Sequence, residues 1–250
     1  MKNLVHALAA LAAMLCAAIA GAADLKVLAS NGVRATLEEL APAFERETGH
    51  KLAVTYGVAA VLKRQIEAGE AFDLAILTSG GIEDLATQGK VDGASRTPIA
   101  RSGVGVAVRA GAPKPDIGST EALKRALLSA KSITWTKEGA SGVYFASVVQ
   151  KLGIAEQLAP KLNLAASGAQ VGEKIVAGEA ELGALLVNEI MALKGVDLAG
   201  PLPPELQSYT VFHSGVSTAS KNTAAAKALA HFLTTPAAAA LFKSKGQEPG

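Results

Sequence analysis

Four short loops carry the residues that are best suited to bind an anion. Each loop consists largely of small residues and precedes a predicted helix; the loops span residues 30–34, 57–60, 139–142 and 166–169. The first turn of a helix has unpaired N–H groups and a positive potential, so a small loop there can hold an anion. Ordinary helix capping uses the same residue types, but four such loops in one chain favour an anion site. The candidate ligand-binding residues are Ser30, Asn31, Gly32, Arg34, Gly57, Ala60, Ser141, Gly142 and Ser167.

Arg34 is the one charged residue within these four loops. It follows the first predicted strand by a few residues, where a guanidinium group could grip a carboxylate through two parallel hydrogen bonds. The alternative is a solvated arginine in the first turn of a helix. Arg34 therefore indicates a carboxylate ligand if its side chain faces the site.

The loops need a parallel sheet to bring them together. The apolar pattern predicts strands over 25–29, 52–56 and 74–77, each followed by a helix, over 35–48, 61–68 and 82–88. Three strand–helix units in succession predict a parallel sheet with helices on its faces. The fold class is therefore α/β.

The pattern changes after residue 103, which predicts a second lobe. Further strands are expected over 132–135, 182–186 and 209–213, and two terminal helices over 224–233 and 236–243. We expect one lobe from residues 23–103 plus 214–250 and a second from 104–213. A ligand would bind in the cleft between the lobes, at the carboxyl ends of the strands.

Two further side chains could take part in proton chemistry. His213 lies at the predicted second crossing between the lobes, and histidine changes its charge near neutral pH. Tyr144 lies in the first turn of a predicted helix and could donate to a ligand, with packing as the alternative. No histidine and carboxylate spacing resembles a metal site, so neither a metal nor a cofactor is expected. Ser141 lacks the G-x-S-x-G pattern of a nucleophile elbow.

Residues 1–22 have the pattern of a secretory leader. Lys2 precedes an apolar run, and the run ends in an A-x-A cleavage site at residues 20–22. The run is short for a membrane-spanning anchor. Cleavage after Ala22 would also remove Cys16, so the mature chain could be neither a thiol enzyme nor a disulfide scaffold. We expect a periplasmic monomer. We do not expect it to bind nucleic acid, because its 24 basic residues form no basic run and are nearly balanced by 22 acidic residues.

Three segments resemble the periplasmic molybdate-binding proteins of ABC transporters. They are residues 62–74 (LKRQIEAGEAFDL), 36–40 (TLEEL) and 232–242 (FLTTPAAAALF). The resemblance covers nearly the whole mature chain and implies the type II periplasmic binding-protein fold. It also implies serine ligands after the first two strands and a tyrosine late in the second lobe. These positions fall at Gly32, Ala60 and near Leu186, although Ser30 is close by, so the molybdate site is not carried over.

Some aconitate isomerases resemble the same family, which makes an enzyme the alternative. They interconvert trans- and cis-aconitate, a reaction similar to an allylic proton shift, without a metal or redox cofactor. In this sequence Arg34 and the helix-starting loops could hold the carboxylates. His213, Tyr144 or Glu189 could move the proton.

The sequence thus supports three functions, which we rank from the most to the least favoured. The first is a receptor for a small anion, a di- or tricarboxylate, with an ABC-transporter permease as a possible partner. The second is a cofactor-free isomerase of the aconitate type on the same fold. The third is a molybdate or tungstate receptor with rearranged donors.

Overall fold

The computed structural model describes residues 22–250, so the predicted leader lies outside the described residues except for Ala22. Within the described part of the chain, no helix is both long and apolar enough to cross a membrane. The first lobe begins with three alternating strands and helices. They are β1 (Asp24–Ser30), α1 (Arg34–Thr48), β2 (Lys51–Gly57), α2 (Ala59–Glu67), β3 (Leu74–Thr78) and α3 (Ser79–Thr87).

The three strand–helix units are arranged as the sequence predicts. β1 lies between β2 and β3 and pairs parallel with both, so that Leu28 is opposite Thr55 on one side and Ala75 on the other. α1 buries Leu37, Leu40 and Phe44 on one face. The carboxyl ends of all three strands therefore lie at one edge of the sheet, where their helices begin.

A single long strand, β4 (Thr97–Arg109), connects the two lobes. Its first half pairs antiparallel with β8 (Tyr209–Val216) in the sheet of the first lobe. Its second half pairs antiparallel with β6 (Leu182–Leu186) and β7 (Val196–Pro201) in the second lobe. The chain thus crosses between the lobes near Gly103 and Val104.

The second crossing lies before β8 rather than within it. The division expected from the sequence assigned residues 209–213 to the second lobe. β8 instead pairs with β3 and β4, with Leu77 opposite His213 and Gly103 opposite Tyr209. Because both neighbours of β8 belong to the first sheet, we place residues 209–213 in the first lobe.

The second lobe adds a smaller sheet with helices around it. β5 (Ile133–Trp135) pairs parallel with β6, and β6 pairs antiparallel with β4. The Ser167 hydroxyl accepts the N–H of Gln170 and thereby caps the start of α7 (Gly168–Val176). The elements are α4 (Thr120–Ser129), β5 (Ile133–Trp135), α5 (Ala140–Lys151), α6 (Ala155–Leu158), α7 (Gly168–Val176) and α8 (Val187–Ala192).

The C-terminal segment returns to the first lobe. It forms α9 (Thr223–Phe232), α10 (Pro236–Ser244) and the short strand β9 (Glu248–Pro249). The ring of Phe232 packs edge-on against Phe44 of α1 at 5.5 Å between centroids. β9 pairs with the first half of β4, with Pro249 opposite Ala100. The first lobe is therefore closed by residues from both ends of the described chain.

Candidate anion-binding site between the lobes

A small cavity lies where the two lobes meet, and we call it the inner cavity. Its volume is about 30 Å³, which is room for a carboxylate group or for two water molecules. The first lobe contributes Ser30, Asn31, Gly32, Val58, Ala59, Thr78 and Phe212; the second contributes Thr136, Gly139, Ala140, Ser141, Gly168, Leu186 and Glu189. The cavity is therefore shared about equally between the lobes.

Five helices begin at or next to residues that line the inner cavity. α2, α5 and α7 begin at lining residues, and α3 and α8 begin directly after lining residues. Several helix starts pointing into one small space give it a positive potential and a set of N–H donors. The arrangement is suited to holding negatively charged oxygen atoms.

The first N–H groups of these helices are unpaired within the described part of the chain. α2, α5 and α8 have no side-chain cap. Within residues 22–250, the amides of Ala59 and Ala140 have no hydrogen-bond acceptor. Both residues line the inner cavity, one from each lobe. An anion bound there would satisfy both N–H groups.

Thr136 adds a hydroxyl group that is not among the residues expected from the sequence. The residue is 3% exposed, and its Oγ1 has no hydrogen-bond partner among the described residues. A Cβ atom on Gly139 would lie 2.2 Å from Thr136 Oγ1, and one on Gly142 only 1.9 Å from the Thr136 carbonyl oxygen. The glycines therefore let the start of α5 pack directly onto Thr136. In the sequence, Thr136 could have been recognised as a candidate because it directly follows the strand expected over 132–135.

Glu189 is the one ionisable side chain among the described residues that line the inner cavity. It lies in the first turn of α8, near the start of α7, where a Cβ on Gly168 would be 3.4 Å from its Oε1. Burial raises the pKa of the Glu189 carboxyl to about 7, and a hydrogen bond from the Leu186 N–H opposes the rise. Glu189 can therefore both accept and donate a proton near neutral pH.

A wider outer cavity of about 620 Å³ adjoins the inner one. The two share Asn31, Val58, Gly168 and Glu189 in their linings. The polar residues that line only the outer cavity are Arg34, Glu38, Tyr56, Ser167 and Asn188. Glu189 thus lies at the junction of a narrow, N–H-rich space and a larger one.

Arg34 lies in the outer cavity with two neighbours. Its Nε donates to Glu38 Oε1 at 2.8 Å, and its guanidinium group lies 4.9 Å from the centre of the Tyr56 ring. Burial and the nearby Glu38 raise the pKa of Tyr56 to about 12, while Arg34 opposes the rise. More than half of the Arg34 side chain is exposed, so a ligand can reach it.

The structure brings most of the expected ligand-binding residues together. Ser30, Asn31, Gly32 and Ser141 line the inner cavity; Arg34, Gly57 and Ser167 line the outer one. Two of the expected residues, Ala60 and Gly142, line neither of these cavities. The role of Gly142 is to allow α5 to approach Thr136, as described above.

Two of the three proton-transfer candidates lie elsewhere. The Tyr144 hydroxyl donates to the Leu206 carbonyl oxygen at 2.9 Å and lines neither cavity. Neighbouring residues of a strand face opposite sides, so Phe212 lines the inner cavity while His213 faces away from it. Burial and the nearby Arg96 lower the pKa of His213, and Glu83 opposes this. Glu189 alone of the three reaches the site.

With the geometry in place, comparison with known proteins identifies the family. The family profile described as "Bacterial extracellular solute-binding protein" matches residues 25–248. The chain belongs to this family. Among its relatives, the aconitate isomerase of a Pseudomonas species is 30% identical over 231 residues, covering 90% of this chain and 87% of that protein. The molybdate-binding protein ModA of Azotobacter vinelandii is 29% identical over 243 residues, covering 95% and 94%.

Solved structures confirm the two-lobed type II fold of this solute-binding family member. The periplasmic molybdate-binding protein of Azotobacter vinelandii superposes with a TM-score of 0.77 at 22% identity, covering 90% of this chain and 99% of that one. The sulfate-binding protein SubI of Mycobacterium tuberculosis gives 0.75 at 21% identity, covering 91% and 87%. At these identities the likeness shows the fold alone.

Proposed function

We propose that this protein binds a small polycarboxylate between its lobes and shifts a proton on it, as an isomerase of the aconitate type. The observation that carries the proposal is Glu189, a carboxyl group with a pKa of about 7 at the junction of the two cavities. An ionised carboxylate would repel a bound anion, so a site that only captured anions gains little from a lining residue that is about half ionised near pH 7. A proton-transfer group needs this placement and this pKa.

The two cavities fit a ligand with several carboxylates. One carboxylate would occupy the inner cavity, against the N–H groups of Ala59 and Ala140. The rest of the ligand would extend into the outer cavity, where Arg34 can pair with a second carboxylate. The carbon chain between them would then pass Glu189.

The reaction is a 1,3-proton shift that needs no redox partner. In the fraction of bound molecules in which Glu189 is ionised, about half near pH 7, the carboxylate would remove a proton from the CH₂ carbon of the substrate, and the C–H electrons would form a new double bond to the central carbon. The electrons of the original double bond would move to the outer vinyl carbon, which then takes the proton back from Glu189. During the transfer, negative charge spreads onto a carboxylate, where the amides of α2 and α5 would stabilise it.

A receptor without catalysis is the second candidate, and the molybdate-binding relatives favour it. The free amides of the inner cavity suit an oxyanion receptor as well as an enzyme. In that role the protein would deliver its ligand to an ABC-transporter permease. The leader expected at residues 1–22 and the periplasmic name of the structural relative support a periplasmic location for either function.

A molybdate receptor has less support from the side chains of the site. Gly32 and Leu186 stand where hydroxyl ligands are expected from the resemblance, and both line the inner cavity. The Ser30 hydroxyl accepts the N–H of Gly32 at 3.2 Å. The hydroxyl residues that do line the inner cavity are Ser30, Thr78, Thr136 and Ser141, so a tetrahedral oxyanion would need a rearranged set of donors.

One set of measurements separates the three functions. Purified protein is incubated with cis-aconitate and with trans-aconitate, and the isomers are followed by ultraviolet absorbance and proton NMR. Thermal unfolding is recorded with each isomer, with the saturated analogue tricarballylate and with molybdate. Interconversion by the wild type and its loss in Glu189→Gln support the isomerase. Stabilisation by aconitate without interconversion indicates a receptor, and stabilisation by molybdate alone contradicts the polycarboxylate site.

A further inference from the structure

A hydrogen bond between the lobes is made by the residue next to Glu189. Asn188 lies in the first turn of α8, in the second lobe, and is 3% exposed. Its Nδ2 donates to the carbonyl oxygen of Gly32 in the first lobe at 2.8 Å. Gly32 lines the inner cavity and Asn188 lines the outer one, so this bond closes the site beside Glu189.

The same Gly32 oxygen has a second donor from its own lobe. Gln247 Nε2 donates to it at 3.1 Å, and Gln247 Oε1 accepts from the Thr36 hydroxyl. Gln247 directly precedes β9, which pairs with β4 in the first sheet. The Asn188 bond therefore connects the lobes, whereas the Gln247 bond stays within the first lobe.

Closing of the lobes determines how much water reaches Glu189. Half of the inner lining belongs to the first lobe, so separating the lobes would remove these walls and solvate the carboxyl group. The other ionisable residues that line either cavity are Arg34, Glu38 and Tyr56. On the strands packed against α8, Arg101 and Arg109 of β4 and Asp197 of β7 line neither cavity.

We propose that Asn188 is a positioning residue: its bond to Gly32 closes the lobes over a polycarboxylate and thereby makes Glu189 take up a proton. The inference rests on the proposed function, since it concerns the same ligand and the same site. A neutral Glu189 carboxyl avoids repulsion with the carboxylates of the ligand, whereas an ionised one would oppose closing. Ligand binding, closing and proton uptake then form one linked equilibrium.

The pKa of Glu189 gives the direction and the pH range of this linkage. Burial in the closed site raises the pKa from 4.5 to about 7, and solvation in the open site would return it toward 4.5. The proposal includes an open form as the main state of the ligand-free protein in solution, so binding near pH 6 should take up close to one proton. Affinity should fall as the pH rises through about 7.

Calorimetry with tricarballylate measures the proton uptake directly. This saturated tricarboxylate has no double bond, so it binds without isomerising. Titrations at pH 6 in two buffers with different ionisation enthalpies give the number of protons taken up. The Glu189→Gln variant gives the number of protons that the ligand itself takes up on binding. We expect the wild type to take up close to one proton more than this variant.

Asn188→Ala and the bulkier Asn188→Leu test the positioning role, with Gln247→Ala as the matched control. Both Asn188 variants should bind about tenfold more weakly, since one hydrogen bond is lost, and should take up less than half of the wild-type protons. In the pH profile of turnover, the decline on the acid side should move to lower pH in both variants. Gln247→Ala removes a donor from the same oxygen but should keep the proton uptake.

Each further outcome decides between the proposals. Binding with equal proton uptake by the wild type and Glu189→Gln would overturn the linkage and leave the proposed function standing. Full proton uptake in both Asn188 variants, or an equal loss in Gln247→Ala, would overturn the role of Asn188. No binding of tricarballylate or of either aconitate would refute the proposed function and this inference together. Thermal unfolding of each unliganded variant shows that it is folded.

Discussion

Gly32 illustrates how closely the residues of this site are packed. A Cβ atom at this position would lie 2.3 Å from Cζ of Phe212, well inside van der Waals contact. The sequence suggested a small residue that lets an anion approach. The structure adds a second reason, because Phe212 comes from β8, far along the chain. A glycine can be recognised in a sequence, but a distant neighbour that requires it cannot.

The first prediction compares two glycines. Gly32→Ala should destabilise the protein by about 1–3 kcal/mol, because Phe212 has to shift within a close-packed core. Gly80→Ala, in the first turn of α3, has no atom within 4 Å of the new Cβ and should be neutral or slightly stabilising. Urea unfolding of both variants measures the difference. Equal free energies of unfolding would show that the contact with Phe212 does not constrain Gly32.

The second prediction concerns the dependence of stability on pH. The pKa of Glu189 is raised from 4.5 to about 7 in the folded protein, so the folded state binds more protons than the unfolded state between these values. Stability from this group is therefore greatest at low pH and is lost as the pH rises through about 7. The Glu189→Gln variant should lack this loss, which we expect to be about 2 kcal/mol. Free energies of unfolding at pH 5.5 and pH 8 for both proteins test it, and the same pH dependence in both would contradict the raised pKa of the Glu189 carboxyl.

At the scale of elements, the sequence indicated some of the helix starts at the site but not all. α2, α5 and α7 begin after loops with glycine and small residues, which are visible in the sequence. β3 ends at Thr78 and α3 begins at Ser79, and β6 likewise ends at Leu186 directly before α8. At α3 the small residues Ser79, Gly80 and Gly81 lie within the helix itself. At α8 no glycine or small-residue loop separates the strand from the helix, so there was no composition signal to find. Glu189 was named only through the resemblance for the same reason.

The third prediction removes single amide donors from two helix starts. Proline is tolerated at the first position of a helix, as Pro236 in α10 shows. Ala59 and Ala140 both follow residues with extended backbone, which suits a proline. Ala59→Pro and Ala140→Pro should each weaken tricarballylate binding by about 1–3 kcal/mol. Unliganded stability should change little.

Calorimetry and thermal unfolding together check this prediction. Weaker binding with unchanged stability in both variants would support amides from each lobe as ligand donors. Unchanged binding in either variant would remove that amide from the site. The comparison is informative because one donor belongs to the first lobe and the other to the second.

At the scale of the whole molecule, the pairing of distant strands limited what the sequence could predict. The parallel units of the first lobe follow from local patterns. The place of β8 does not, because its alternation is the same whichever sheet it joins. Only its pairing with β3 and β4 assigns it to the first lobe. The same pairing turns His213 away from the cavity, so one long-range contact corrects both the lobe boundary and a proton-transfer candidate.

The fourth prediction concerns Gln207, which joins the two crossings between the lobes. Its Oε1 accepts the N–H of Val104 at 2.8 Å, and its Nε2 donates to the Val104 carbonyl oxygen at 2.9 Å. Val104 lies where β4 passes from one sheet to the other, and Gln207 lies just before β8. The side chain thus holds the connecting segments side by side. Without it, the ligand-free protein should spend less time with its lobes closed.

Gln207→Ala should therefore bind tricarballylate about five- to tenfold more weakly, because the apparent affinity falls with the fraction of binding-competent molecules. X-ray scattering of the ligand-free variant should give a larger radius of gyration than the wild type, and saturating ligand should remove the difference. Gln150→Ala, at an exposed position of α5, is the matched control and should change neither quantity. If the variant kept the wild-type radius and affinity, Gln207 would contribute only local stability. A larger radius of gyration that persisted at saturating ligand would instead indicate a distorted lobe, because ligand binding would then fail to restore the native arrangement.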